Sequence, residues 1–251
     1  MNIENITIIF STDYIRNALI IGLLISVCTA ILGVELVLKK FSMLGDGLSH
    51  VSFGTLAVAS TFNFASLELS MLIVVVVAFL LLQIKQSSKI NGDAAVAIVS
   101  GGFMALGIFA SAFSGGTNTD FNSYMFGSIF AINDDNFVLS IIMCIVVIIV
   151  YILFYNKIFA VTFDEGFCKA TGGKASVYNL IIATLTAVTI VIGMKLIGTL
   201  LIASLTVFPV VSSYRLAKNF RSCVVYSVII SVSAFIIGFT FSLVYDKMPL
   251  S

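Results

Sequence analysis

Charge is what this 251-residue sequence has least of: charged residues make up 10% of it and hydrophobic residues 60%. A soluble domain of this size is typically about half apolar and a quarter charged. Thirteen Lys and Arg with twelve Asp and Glu could not solvate such a core, so a soluble enzyme is excluded. The formal net charge of +1 lacks the basic field that nucleic acid attracts, and no nucleic-acid partner is expected. Tryptophan is absent and proline occurs twice, which argues against Pro-rich, collagen-like and disordered chains. The four cysteines contain no CxxC and are widely spaced, so neither a disulfide framework nor a zinc knuckle is expected. Cys28, Cys144 and Cys223 sit in or beside apolar runs, Cys168 sits in a polar loop, and all four read as free thiols. No basic n-region with a small-residue cleavage site opens the chain, so no cleavable signal peptide is expected.

Two catalytic signatures are also missing. There is no HExxH, and Gly172-Gly173-Lys174 lacks the upstream glycine and the strand–helix setting of a phosphate loop. The chain has no evident means of hydrolysing ATP and is not expected to be an enzyme. Active transport would draw its energy from a partner or an ion gradient.

What is present is long apolar runs, with a mean hydropathy of +1.16. A helix crossing ~30 Å of hydrocarbon needs about 20 mostly apolar residues. Eight segments qualify, at approximately 15–38, 43–62, 67–84, 94–113, 136–155, 177–194, 196–214 and 222–245. The sixth and seventh are separated by little more than Lys195 and can also be read as one broken pair. The expected fold is all-α, a single polytopic membrane domain over residues 1–251 with about eight transmembrane helices in the lipid bilayer.

Lys39, Lys40, Lys85, Lys89, Lys157, Lys169, Lys174, Arg215, Lys218 and Arg221 fall in one set of loops; Arg16, Lys195 and Lys247 fall in the other. The first set is therefore expected in the cytoplasm, with both termini outside. Residues 114–135 face outward in this scheme and contain an amphipathic stretch, Tyr124 to Ile132. Residues 156–176 face inward and read as a short helix, with Asp164 and Glu165 at its N-terminus and Gly172-Gly173 ending it. Pro209, late in the seventh span, is expected to bend that helix. Gly22, Gly33, Gly45, Gly47, Gly54, Gly101, Gly102 and Gly107 read as sites of close helix packing.

Only Glu35 and Asp46 place formal charge well inside these spans. Glu35 precedes Lys39 by one turn, a favourable i,i+4 pair with a structural role. Asp46 lies in the run Phe41-Ser-Met-Leu-Gly-Asp-Gly-Leu-Ser-His50, which opens the second span and contains the one histidine of the chain. Four residues apart on a helix, Asp46 and His50 share a face about 6 Å apart along the axis. An ionisable group at membrane depth costs about 2.5–3.5 kcal/mol on insertion scales, so two on one face need a compensating role. Carboxylate oxygen with imidazole nitrogen suits a divalent first-row metal, and two ligands suit transit better than storage. The alternative is structural, with Asp46 holding His50 or capping a helix.

The chain resembles the metal ABC-3 permease family, the membrane subunits of bacterial ABC importers of zinc, manganese or ferrous iron. The likeness is carried by LVLKKFSMLGDGLSHVSFGTLAVA (36–59), GDAAVAIVSGGFMALGI (92–108), NKIFAVTFDEGFCKATG (156–172) and KLIGTLLIASLTVFPVVSSYRLA (195–217). The resemblance implies that Asp46 and His50 contact the transported ion, Zn2+ or Mn2+ with zinc favoured, and that the protein has no cofactor of its own. It implies a coupling helix at 163–172, with Asp164, Glu165, Phe167 and Lys169 against a cytoplasmic ATP-binding subunit that binds the ATP. It further implies a permease homodimer, an extracytoplasmic metal-binding protein as donor, and a place in the bacterial cell membrane. Two rivals remain open: a self-sufficient metal channel or gradient-driven carrier, and an ABC permease for a metal chelate. Family members usually continue past a YD-x-P segment into a further apolar span. Here the sequence reads Tyr-Asp246-Lys-Met-Pro-Leu-Ser251, so either that last helix is absent or the chain is truncated.

Overall fold

The computed structural model describes residues 13–61, 66–87, 92–113, 127 and 134–244. Nine helices account for nearly all of them: α1 (Asp13–Leu38), α2 (Leu44–Thr61), α3 (Ser66–Ser87), α4 (Gly92–Phe113), α5 (Asp134–Phe163), α6 (Glu165–Ala170), α7 (Ala175–Ile197), α8 (Thr199–Leu216) and α9 (Phe220–Val244). No strand occurs among the described residues. Helices are what hydrocarbon permits, because each backbone N–H must find a carbonyl within its own segment. The amphipathic stretch at Tyr124–Ile132 and the chain after Val244 lie outside the described residues, Gly127 apart.

Among the described residues, six helices are long and apolar enough to cross a membrane: α1, α4, α5, α7, α8 and α9. α3 runs 22 residues, with an apolar stretch over Leu69–Gln83. α2 is the more polar span, carrying Asp46, Ser49, His50, Ser52 and Thr55 within 18 residues. α5 is longer than expected, running 30 residues to Phe163. Asn156 and Lys157 do not stop it, since neither residue type breaks a helix, and at 1.5 Å per residue it extends about 45 Å. Lys195 does not separate α7 from α8. It lies exposed in the last turn of α7, and the chain breaks at Gly198, whose φ of 87° suits a residue without Cβ.

Among the candidate spans, two are central to the bundle. In α1 and α7 the membrane-spanning windows are 67% and 72% buried, against 22% in α4, α5 and α9. Centrality comes from small and hydroxyl-bearing residues that admit neighbours closely. A Cβ on Gly33 of α1 would lie 2.2 Å from the Thr206 carbonyl oxygen of α8, and one on Gly22 would strike the Phe235 ring of α9. From α9, Ser231 Oγ donates to Ser26 O at 2.9 Å and Ser227 Oγ to Ala30 O at 3.3 Å. At the α2–α4 crossing, a Cβ on Gly54 would lie 2.1 Å from Phe103 O, and one on Gly107 2.8 Å from Gly54 Cα. Gly101 and Gly102 are different: both are exposed on α4 with nothing within 4 Å of a Cβ, so close packing within one chain does not explain them. Pro209 is buried inside α8 without ending it.

Candidate metal site and coupling segment

The turn that aims α2 is short and well determined. Phe41 N–H donates to Leu36 O at 2.8 Å, Lys40 N–H to Val37 O and Leu44 N–H to Phe41 O. Phe41 is buried, and Lys40 holds a φ of 62°, in the left-handed region that non-glycine residues occupy only when surrounding contacts impose it. α2 then starts at Leu44, placing the Asp46 carboxylate in its first turn, where the helix dipole favours negative charge.

Successive helical residues are rotated by about 100°, so Gly45 and Gly47 lie on either side of Asp46. A Cβ on Gly45 would touch Thr206 of α8 at 3.2 Å, and one on Gly47 would collide with Val96 of α4 at 2.2 Å. The two glycines seat α2 between α8 and α4 and leave the Asp46–His50 face open between them. His50 Nε2 lies 3.6 Å from Asp46 Oδ1, with side-chain exposures of 23% and 41% respectively. That separation exceeds a good hydrogen bond, so the pair is adjacent without being mutually satisfied. Ser49 Oγ donates to Asp46 O at 2.6 Å, a contact within the helix. Among the described residues no group of three or more His, Cys, Asp or Glu forms.

Glu35 is placed quite differently. Its side chain is fully buried and accepts hydrogen bonds from Tyr151 Oη at 2.9 Å and from Thr162 Oγ1, both on α5. Lys39 Nζ donates to Asn179 Oδ1 of α7. The role expected for Glu35 was a pair with Lys39 along one helix; the structure adds partners 116 and 127 residues away. No local pattern in the sequence points to Tyr151, Thr162 or Asn179.

The segment after α5 is a helix of six residues. Asp164 is its N-cap, with Oδ1 accepting from Phe167 N–H at 2.8 Å. Cys168 is the inward residue, packed with Val161, Ala175 and Tyr178. Phe167 points outward and is 65% exposed, and Lys169 pairs with Glu165 at 2.9 Å. Gly172, at φ 79°, follows the end of the helix. All four cysteines are free and buried; Cys168 is buried because it occupies the inner side of this short amphipathic turn.

An all-helical bundle with several hydrophobic helices, a polar pair on one partly open face and a short capped helix after α5 is the architecture of a multi-pass membrane protein. Residues 11–251 match the ABC 3 transport family, and the chain belongs to it, as a multi-pass protein of the bacterial plasma membrane. The chain is 27% identical over 229 residues to the manganese import system permease protein ScaB of Streptococcus gordonii, covering 90% of this chain and 81% of that one. It is also 27% identical over 229 residues to the high-affinity zinc uptake system membrane protein ZnuB of Haemophilus influenzae, covering 91% and 88%. Among solved structures, PsaBC from Streptococcus pneumoniae in complex with Fab has the same fold, with a TM-score of 0.86 at 23% identity over 100% of this chain and 90% of that one.

Proposed function

We propose that this chain is the permease subunit of an ATP-driven importer of a divalent transition metal, zinc in preference to manganese or iron. The observation that carries the reading is the Asp46–His50 pair, set four residues apart on the one face of α2 that its neighbours leave partly open. Carboxylate is a hard oxygen ligand and imidazole a borderline nitrogen ligand, so the pair accepts Zn2+, Mn2+ and Fe2+ alike, with Zn2+ highest of the three in the Irving–Williams order. Relatives named for manganese and for zinc support the metal class; the zinc preference rests on the overall likeness of the sequence to zinc-importing members, since an Asp–His pair serves both ions.

Two ligands leave a tetrahedral ion half-coordinated. A second copy of the chain, meeting the first across the open face, supplies another Asp46–His50 pair and completes four ligands. An extracytoplasmic metal-binding protein releases the ion into this cavity. A cytoplasmic ATP-binding subunit docks on residues 163–172, where exposed Phe167 fills a pocket and Asp164, Glu165 and Lys169 hold the helix. Its closure opens the cavity inward. The ion is the cargo, and the pair releases it because neither side chain is locked around it.

The test is uptake of Zn2+ in cells whose own copy is replaced by His50→Ala or Asp46→Ala. Both variants insert normally and lose uptake. Wild-type uptake by either would overturn the site, and transport by the purified chain in liposomes without an ATPase would favour a self-sufficient channel or carrier.

A further inference from the structure

We infer that Glu35 is a positioning residue at the centre of a buried polar clamp, Glu35 with Tyr151 and Thr162 and Lys39 with Asn179, which carries movement of the coupling helix to the metal-bearing face of α2. The inference rests on the reading of this chain as an ATP-driven permease.

A helix as short as α6, at six residues, cannot act as a lever by itself. Force applied to it enters the bundle through its two roots, the end of α5 and the start of α7. Each root is tied to the same piece of chain. Thr162 is the penultimate residue of α5 and donates to Glu35; Asn179 lies one turn into α7 and accepts from Lys39. Glu35 in the last turn of α1 and Lys39 just past its end are four residues apart, and the Lys39 N–H still donates to Glu35 O at 3.0 Å, so they present one face to both roots. Tyr151 adds a second hold on Glu35, three turns back along α5.

From α1 the path to Asp46 is brief and stiff. The connection is the hydrogen-bonded turn around buried Phe41, after which α2 begins at Leu44. Displacing the end of α1 therefore displaces the first turn of α2, where Asp46 sits. A cavity of about 430 Å³ opens beside this linkage, lined by Leu38, Lys39, Phe41, Thr162, Glu165 and Asn179 among others. It gives the clamp and the coupling helix room to change position relative to each other.

The chemistry suits a device more than a plain support. A carboxylate buried in an apolar bundle is costly, and apolar residues of similar volume hold helices together at least as well. Directional hydrogen bonds that tie two neighbouring side chains, Glu35 and Lys39, to α5 and α7 form or break as discrete states. Coupling between distant sites requires an element with alternative arrangements that both sites bias.

The experiment reconstitutes the complex with its ATP-binding subunit in proteoliposomes and measures Zn2+ moved per ATP hydrolysed. Glu35→Gln keeps the side-chain volume and removes the charge. It is expected to continue hydrolysing ATP while moving roughly tenfold fewer ions per ATP, within the usual span of a coupling free energy. Zn2+ affinity is expected to stay at the wild-type value, because Asp46 and His50 are untouched. Asn179→Leu should shift the ratio in the same direction by less. A wild-type ratio in Glu35→Gln overturns the inference, and so does a parallel fall of hydrolysis and transport, the mark of plain structural support. If Glu35→Gln fails to insert, Tyr151→Phe and Thr162→Val each remove one donor, leave the acid in place and answer by the same ratio. Asp46→Ala separates the two levels. If it transports normally, the metal-permease reading fails. If it is inactive while Glu35→Gln keeps the ratio, the clamp alone fails.

Discussion

Glu35 and Asp46 are both acids in apolar helices, eleven residues apart along the chain, and the bundle treats them in opposite ways. Glu35 is sealed from solvent and receives hydroxyl donors from α5. Asp46 is 41% exposed at its side chain and has a partly buried histidine 3.6 Å away on its own helix. One acid is fully engaged in holding helices together, and the other is left with coordinating capacity to spare. Burial and satisfaction, more than residue type, separate a structural charge from one available to a ligand.

The largest effect that sharpens this contrast is on uptake. Asp46→Ala is expected to lose metal uptake by at least the roughly 10–100-fold that follows loss of a group merely supporting a ligand. Its thermal stability in detergent should change by no more than about 0.5 kcal/mol, as for other partly exposed positions. Glu35→Ala should do the reverse where stability is concerned. Leaving the Tyr151 and Thr162 hydroxyls without their acceptor costs about 1–3 kcal/mol, read as a lowered melting temperature. If Asp46→Ala proves the more destabilising of the two, the division between the acids collapses.

Glycine offers a second version of the comparison, between packed and open positions. Gly54→Val places atoms against the Phe103 carbonyl of α4, where no flexible side chain can move aside. It is expected to cost about 3 kcal/mol. Gly101→Ala meets nothing within the chain and should raise helix stability by up to about 1 kcal/mol. Loss of transport by that variant without loss of stability would mark this bare face of α4 as one covered by another molecule.

Smaller effects belong to the coupling segment. Asp164→Ala removes the N-cap of α6 and should cost about 1 kcal/mol, measured as reduced protection of the Phe167 amide from hydrogen exchange. Lys169→Ala breaks a partly exposed pair with Glu165 and should cost less than about 0.5 kcal/mol. A loss of transport in Lys169→Ala at unchanged stability would assign this lysine to the ATPase contact and not to the helix.

Much of the architecture was legible in the linear chain. Long apolar runs, few charges and the one-sided Lys and Arg distribution lead to a multi-pass bundle. Asp164 ahead of Glu165, with Gly172-Gly173 behind, located α6 before any coordinates. Less legible were helix ends and breaks. α5 runs on through Asn156 and Lys157, whose helix propensity is adequate once the slab is left behind. The α7–α8 break falls at Gly198 and not at Lys195, because the positive φ there needs glycine while a lysine can extend its amine past the interface. The eight glycines looked alike in sequence, yet six meet another helix and two do not.

The sequence by itself determined that this protein spans a membrane through helices and that Asp46 and His50 share a face. Both follow from short-range physics: the thickness of hydrocarbon, the cost of charge within it, and the rise and rotation per helical residue. Only the tertiary structure decided which acid is sealed and which is open. The partners of Glu35 lie 116 and 127 residues away, and the flanks of Asp46 are set by Val96 and Thr206 on two other helices. Those contacts depend on how the helices assemble, and no periodicity within α1 or α2 encodes them.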